Sequence, residues 1–333
     1  SYTVVPTYEC FNRCAYCTFR ADPRRGAASW LSVDDATAQM SAAMRQGTVR
    51  EVLIMSGEVA PSSALRAPWL ARVLSLCEAA LSLGLHPHVN VGPLSAAEMA
   101  AVRARSVSMG LMLEQLSPAL AARGGVHRHA PSKRDPQARL AQLEQAGRLK
   151  VPFTTGVLLG VGEGAGDTEA SLRAIADVAL RYGHIQECII QPYSPAAGTR
   201  AGLEGFPLSA VPAIVAMARA ILPPQVVVQV PPNLVRARGV LLECLDAGAR
   251  DLGGISPLDE VNSAYDFPAV DELAAVLNAA GYRLRERLAV HDRLREWVPA
   301  DLQPLLERTH ADIGGAAFDE RIATPPRACA AEA

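Results

Sequence analysis

The sequence predicts an α/β fold, a (β/α)8 barrel of TIM type, from two observations. Short apolar runs alternate with amphipathic stretches along most of the 333 residues, and eight such alternations fit a parallel barrel of ~250 residues. The apolar runs show no strict alternation with polar residues, as expected of strands buried on both faces. An open doubly wound sheet shows similar patterns, but the count of eight favours the barrel. The predicted strands are Tyr2–Thr7, Glu51–Met55, Leu85–Asn90, Val107–Leu113, Val151–Leu159, His184–Gln191, Gln225–Val230 and a weak one near Ala249–Leu252.

The stretches between these strands carry the signals of helix starts. Ser32 with Asp35, and Ser95 with Glu98, have the spacing of a capping box. Asp167 is predicted to cap a helix whose apolar residues recur every three or four positions. Further helices are predicted over Leu65–Leu83, Pro136–Ala146, Leu208–Ile221, Leu234–Asp246 and Pro268–Ala280.

Composition and charge exclude several classes of function. A net charge of -2 gives no basic surface for nucleic acid or an anionic membrane. No run of ~18 apolar residues predicts a transmembrane helix, and the first residues lack the layout of a secretory signal. We therefore expect a cytoplasmic enzyme, in whose reducing environment clustered cysteines indicate metal binding or catalysis. The barrel is predicted to occupy residues 1–285, and residues 286–333 to form an extension that is partly helical and then a loosely ordered tail.

Three cysteines follow the first predicted strand: Cys10, Cys14 and Cys17, with C-x3-C-x2-C spacing. Catalytic residues of such barrels lie on the loops after the strands, so this loop is the predicted reactive centre. A structural zinc site needs four ligands, and the remaining cysteines offer no obvious fourth. Three thiolates instead suit a [4Fe–4S] cluster with one iron left without a protein ligand.

This spacing, with the aromatic Tyr16 before the last cysteine, resembles the radical S-adenosylmethionine (SAM) superfamily. In that family SAM chelates the open iron. An electron from the reduced cluster then cleaves SAM to methionine and a 5′-deoxyadenosyl radical. The resemblance implies a [4Fe–4S] cluster, SAM as a consumed cosubstrate and an external one-electron donor.

Further segments resemble the SAM contacts of that superfamily. A Ser-Gly-Glu segment after the second strand is similar to the Gly-Gly-Glu segment that binds the methionine amino group. An arginine before the fifth strand matches one that binds the SAM carboxylate, and an acidic residue ending the fourth strand matches one for the ribose. A glycine-rich segment of the fifth strand matches the adenine site, where glycines allow close approach. The SAM-binding candidates are Tyr16, Ser56, Gly57, Glu58, Glu114, Arg139, Gly156, Gly160 and Glu163.

Longer strings resemble one family more closely. Val107–Glu114, Leu149–Gly156, Tyr182–Glu187 and Leu252–Pro257 are similar to the CofG family, the 7,8-didemethyl-8-hydroxy-5-deazariboflavin synthases of coenzyme F420 biosynthesis. In the reaction that this resemblance implies, a CofH-type partner joins a tyrosine-derived hydroxybenzyl group to a ribitylamino-uracil. The CofG enzyme then abstracts a hydrogen from this adduct, closes the central ring and releases ammonia.

Such an adduct presents a uracil edge, a ribityl chain and a phenol, so its pocket needs many polar groups beside apolar walls. Candidates for general acid or base are His88, Glu187 and Asp251, among which the sequence does not choose; Asp251 is also a candidate for binding the substrate. The substrate-binding candidates are Asn90, Thr154, Thr155, Gln186, Gln191, Asn233 and Ser256. Gln186 and Glu187 are neighbours on one strand, so only one of them can face the barrel interior.

Two alternatives stay open on the sequence alone. One is another radical SAM enzyme, of the CofH or menaquinone-pathway type, acting on a tyrosine- or chorismate-derived substrate. The other is an iron–sulfur electron carrier, which would need four cysteine ligands and no glycine-rich fifth strand.

Overall fold

A computed structural model describes residues 1–22, 30–46, 49–196, 202–256, 259–260, 262 and 264–313. Within these residues seven parallel strands form one sheet, in the order in which they occur along the chain. This order, with a helical crossover between successive strands, is the connectivity of a (β/α) barrel, and the predicted fold class is confirmed. The strands are β1 (Tyr2–Val4), β2 (Glu51–Met55), β3 (His86–Asn90), β4 (Ser108–Gly110), β5 (Phe153–Leu159), β6 (Ile185–Pro192) and β7 (Val227–Gln229).

The predicted eighth strand is reduced to a bridge between Asp251 and Gln229. The amide of Val230 donates to the Asp251 carbonyl at 3.0 Å, which holds this segment along β7. Beyond it, the amino group of Ser1 donates to the carbonyl of Ile255 at 2.9 Å. The segment after β7 therefore runs beside β1, where an eighth strand would close the barrel.

Helices cover the outside of the sheet. The Ser95 capping box is confirmed, since Ser95 and Glu98 each accept a hydrogen bond from the other's backbone amide. The prediction for Asp167 is wrong: Gly166, with φ +86°, is the N-cap, and Asp167 is the first helical residue. The predicted helix from Leu234 starts four residues later. The helices are α1 (Val33–Gln46), α2 (Arg66–Ser82), α3 (Ala96–Arg103), α4 (Pro136–Arg148), α5 (Asp167–Tyr182), α6 (Val211–Ile221), α7 (Arg238–Asp246), α8 (Val270–Ala279) and α9 (Gln303–Asp312).

The residues after α8 close the N-terminal end of the barrel. Leu288, Val290 and Leu294 pack with Val107, which immediately precedes β4, in a second apolar cluster. The predicted tail, 314–333, lies outside the described residues. None of the helices in the described part of the chain has the length and apolar character that crossing a bilayer requires.

Candidate active site

The loop after β1 carries the three predicted metal ligands. Cys10 and Cys14 are buried and Cys17 is partly buried. The Glu58 amide donates to the Cys10 sulfur at 3.3 Å. Burial raises the pKa of Cys10, and it raises the pKa of Cys14 to about 12. Ligation by a metal centre would therefore have to displace the thiol protons.

The donor set fits an iron–sulfur cluster with three protein ligands. Cys77, Cys188 and Cys244 lie in the apolar layer between helices and strands, so within the described residues no fourth thiol joins the loop. Among these residues the only group of three Cys, His, Asp or Glu ligand atoms within 4.8 Å of one another is formed by Glu187, Asp251 and His291. The loop sulfurs are therefore spread more widely than a tetrahedral zinc, with Zn–S bonds of ~2.3 Å, requires. Cys329 lies outside the described residues.

Backbone proximity fixes the segment from Ser56 to Glu58 against this loop. A Cβ on Gly57 would lie 2.1 Å from the Glu9 carbonyl oxygen, so only glycine fits there. The hydroxyl of Ser56, the first residue of this segment, accepts a hydrogen bond from Trp69 Nε1 at 3.0 Å. Glu58 accepts hydrogen bonds from Asn12 Nδ2 at 2.9 Å and from Ser132 Oγ at 2.5 Å.

Glu114 is held in an uncommon backbone conformation beside two cations. Its φ is +68°, which is rare for a residue other than glycine and often accompanies functional sites. Lys133 Nζ lies 2.5 Å from its carboxylate, and Arg139 Nη2 lies 4.0 Å away. Burial alone would raise the pKa of Glu114, but the two cations outweigh it and lower the pKa. Arg139 also approaches Glu58 at 3.5 Å, so α4 links both carboxylates.

Lys133 was missed by sequence reasoning. It donates to the Tyr16 hydroxyl at 2.8 Å, and His127 Nε2 lies 3.2 Å from that hydroxyl. Burial alone would lower the pKa of Lys133, but Glu114 and Tyr16 hold it well above its usual value. The short polar run between β4 and α4, where Ser132 and Lys133 adjoin, was the only signal in the sequence.

The glycine-rich part of β5 packs closely against its neighbours. A Cβ on Gly156 would lie 2.4 Å from the Ile189 carbonyl oxygen. Gly160 has φ +82° and turns the chain after β5. Glu163 accepts hydrogen bonds from the amides of Gly160 and Val161 at 2.6 and 2.8 Å. Its carboxylate therefore stabilises its own turn.

A buried ionic cluster lies in the barrel interior, toward the N-terminal end that the residues after α8 close. Arg287 donates to Asp251 at 2.5 Å and lies 2.6 Å from Glu187. His291 Nε2 lies 3.0 Å from the same Glu187 oxygen. Burial alone would raise the pKa of Glu187, but Arg287 and His291 outweigh it and hold it well below its usual range. With a guanidinium bound to both carboxylates, this cluster is a neutralised ionic network and not a cation site.

His88 lies in the same interior. Its Nδ1 is 2.7 Å from Ser108 Oγ, and that hydroxyl donates its one proton to the Ala289 carbonyl at 2.8 Å. Ser108 must therefore accept from Nδ1–H, which leaves the lone pair on His88 Nε2. Burial lowers the pKa of His88, so the ring is neutral at pH 7. Asn90, two residues on, projects from the same strand face.

Some of the other substrate candidates face the barrel interior, and the rest hydrogen-bond to backbone groups that hold the fold together. Thr154 donates to Glu187 at 3.0 Å, while Thr155 accepts from the amide of Leu113 at 3.3 Å. Gln186 holds the segment after α8 through Ala289 and His291. Glu187 is thus the neighbour that faces inward, and Gln191 follows it at even spacing.

Buried polar atoms without partners lie at the end of β7 and on the segment that follows it. Asn233 Nδ2 donates to Asp259 at 2.7 Å, but its Oδ1 has no hydrogen-bond partner. Ser256 Oγ and Gln229 Oε1 are also unpartnered. Gln229 is not among the candidates predicted from the sequence, although it is the single polar residue in the run Val-Val-Val-Gln-Val.

A parallel barrel with three thiols on the loop after its first strand is the arrangement of the radical SAM superfamily, whose model matches residues 4–175. Membership implies use of SAM and an iron–sulfur centre. A 7,8-didemethyl-8-hydroxy-5-deazariboflavin synthase of Trichodesmium erythraeum is 47% identical over 92% of this chain and 94% of its own length. One of Synechococcus elongatus is 52% identical over 91% of this chain and 88% of its own. The chain therefore belongs to the 7,8-didemethyl-8-hydroxy-5-deazariboflavin synthase family.

Solved structures show the same fold at low sequence identity. HydG, a maturase of the [FeFe]-hydrogenase, gives a TM-score of 0.70 at 14% identity and covers 94% of this chain and 77% of its own. Methylornithine synthase (PylB) gives 0.61 at 16% identity, over 86% and 82%.

Proposed function

We propose that this chain catalyses the ring closure that its relatives' name describes. The substrate is an adduct of a hydroxybenzyl group and a ribitylimino-uracil. The 5′-deoxyadenosyl radical takes a hydrogen atom from it, the central ring closes and ammonia leaves. Loss of protons and of one electron, which balances the electron consumed in cleaving SAM, then gives the deazaflavin. The observation that carries the proposal is the loop of Cys10, Cys14 and Cys17 above a polar barrel interior, in a chain 47–52% identical to such synthases.

In this proposal the three cysteines hold a [4Fe–4S] cluster with one open iron. When bound and reduced, the cluster supplies the electron that cleaves SAM to a 5′-deoxyadenosyl radical. The amide of Glu58 is suited to stabilise the Cys10 thiolate, since it already donates to that sulfur. The absence of a fourth thiol near this loop, among the described residues, favours this role over that of an electron carrier.

The SAM site is proposed along the edge formed by Glu58, Glu114 and Arg139. Arg139 has the geometry for a carboxylate, and Glu114 is an ionised acceptor suited to ribose hydroxyls. Gly156 and Gly160 are proposed to offer only their backbone to the adenine, because a side chain at either position would meet Ile189 or Phe206. Glu163 would then support the turn indirectly, because its carboxylate is occupied by backbone amides.

Within the interior, His88 is the best-suited proton acceptor, because it is neutral and its Nε2 lone pair is available. Glu187 and Asp251 are assigned to binding and electrostatics, because both carboxylates are paired with Arg287. Asn90, Thr154, Gln191, Asn233 and Ser256 are the proposed substrate contacts. Thr155 and Gln186 are proposed to support the site without contacting the substrate, because Thr155 hydrogen-bonds to Leu113 and Gln186 to the segment after α8.

The proposed partners are an enzyme of the CofH type, which forms the adduct, and an external one-electron donor. The proposed compartment is the cytoplasm. The two partners follow from the substrate of the reaction and from its need for an electron. The compartment is the reducing environment in which clustered cysteines indicate a metal centre.

Product formation by the anaerobically reconstituted, reduced protein tests the proposal. With SAM and the adduct, we expect both 5′-deoxyadenosine and the deazaflavin, and neither without the adduct. Deoxyadenosine without deazaflavin would contradict the substrate assignment. Absence of both from a protein with a spectroscopically verified cluster would contradict radical SAM chemistry.

A further inference from the structure

Gln229 carries a buried amide oxygen that nothing in the described structure satisfies. The residue is 8% exposed, and its Oε1 has no hydrogen-bond partner. Buried polar atoms are rarely left in this state, because their hydration is lost without compensation. The neighbouring interior groups differ, since Thr154, Glu187 and Asp251 are all paired.

The Gln229 side chain faces the barrel interior. Val226, Val228 and Val230 pack in the apolar layer between the sheet and the helices. Residues alternate between the two faces of a strand, so Gln229 projects from the opposite face. Gly253, with φ +74°, adjoins it: a Cβ there would lie 2.1 Å from Gln229 Nε2. A side chain at position 253 would displace this amide.

We propose that Gln229 binds the imide edge of the uracil ring, which deepens and depends on the proposed function. Oε1 accepts the ring N–H, and Nε2 donates to the adjacent ring carbonyl. A primary amide and a cyclic imide are complementary because each presents one donor beside one acceptor. The unpartnered Oε1 lacks the donor that the ring N–H supplies.

Binding of the fluorescent deazaflavin product, which keeps the imide edge, tests this assignment in the reconstituted enzyme. Gln229→Met removes both polar atoms at similar volume, and we expect it to weaken product binding about 10- to 100-fold. The unfolding temperature should stay the same or rise, since an unsatisfied buried atom is removed.

Gln303→Met is the matched control. The Gln303 amide donates to the carbonyls of Arg295 and Val298 at 2.5 and 2.9 Å. All three residues belong to the segment after α8, at the N-terminal end of the barrel. We expect this variant to lower the unfolding temperature and leave product affinity unchanged.

A product analogue methylated on the imide nitrogen separates this edge from the ribityl chain. It should bind wild type and Gln229→Met with equal, weak affinity. If Gln229→Met still weakens binding of this analogue, the contact is with another part of the ligand and the assignment is overturned. If the wild type forms the deazaflavin, and Gln229→Met binds this product as tightly as the wild type does, only the assignment of Gln229 is overturned. Failure of the wild type both to form and to bind the deazaflavin would overturn the proposed function as well.

Discussion

The guanidinium of Arg287 lies 2.6 Å from the carboxylate of Glu187 and ties the segment below the barrel to the inner face of β6. The same guanidinium also binds the carboxylate of Asp251, which lies where an eighth strand would close the barrel. Two carboxylates that the sequence presented as separate acid–base candidates are therefore parts of one network, whose cation comes from beyond the boundary predicted at residue 285.

Removal of that cation should destabilise the fold. Arg287→Met leaves Glu187 and Asp251, each with a side chain 5% exposed, without their shared counter-charge. We expect a loss of about 3–5 kcal/mol in the free energy of unfolding, measured by urea denaturation. Arg285→Met, at an exposed neighbouring position, should cost less than about 0.5 kcal/mol.

The double variant Arg287→Met with Glu187→Gln separates charge from packing. It should recover part of the lost stability, because one uncompensated carboxylate is replaced by a neutral amide. Equal stability of the single and double variants would show that the loss comes from packing.

His88 should act after the radical step. His88→Gln keeps a polar side chain but removes the basic nitrogen, so we expect deazaflavin formation to fall about 100-fold or more. The yield of 5′-deoxyadenosine should fall much less, because SAM lies elsewhere in the proposal. Quantifying both products by chromatography checks this. A parallel loss of both would place His88 in the first hydrogen transfer or in binding.

Lys133 should position the SAM site through Glu114 and Tyr16. Lys133→Met removes hydrogen bonds of 2.5 and 2.8 Å to these residues, and we expect SAM affinity to fall about tenfold or more. Equilibrium binding of labelled SAM to the cluster-loaded protein measures this. Arg134→Met, at the exposed adjacent position, should bind SAM as the wild type does. Unchanged SAM affinity in Lys133→Met would remove this residue from the site.

Cluster loading should depend on the loop cysteines alone. Cys14→Ala should abolish the iron–sulfur absorbance and lower the iron content, because a ligand is lost. Cys77→Ala alters a cysteine buried on α2 and should keep both signals. Loss of the cluster in both variants would indicate general unfolding, which circular dichroism would detect.

Local patterns predicted much of this fold and less of the site. Strand β2 was predicted with its observed bounds, because the charged pair Arg50-Glu51 precedes its apolar run and Ser-Gly follows it. The eighth strand was overestimated, since one bridge to Gln229 is all that the Leu-Gly-Gly turn permits. Lys133 and Arg287 lie on irregular segments and reach their partners by tertiary packing, which periodicity does not report. A ligand triplet on one loop is a local signal, and a charge network between distant segments is not.

His184 should make the protein sensitive to acid. Burial lowers its pKa to about 4, whereas the unfolded chain has the ordinary value of ~6.5. Between these values the unfolded chain binds a proton that the folded protein does not, so stability falls as pH drops from about 6.5 to 4. His86 and His127, whose pKa values burial also lowers to about 4, contribute in the same direction.

His184→Phe should remove one share of this dependence. The rings of Phe153 and Tyr182 lie 6.1 and 5.9 Å from the imidazole, so the site already accepts aromatic neighbours. We expect the loss of unfolding free energy between pH 7 and pH 5 to be smaller in the variant by about 2 kcal/mol. Urea denaturation at both pH values measures it, with His129→Phe, an exposed position, as the control. If His184→Phe kept the full wild-type dependence, the acid sensitivity would have to arise from the other buried histidines or from carboxylates.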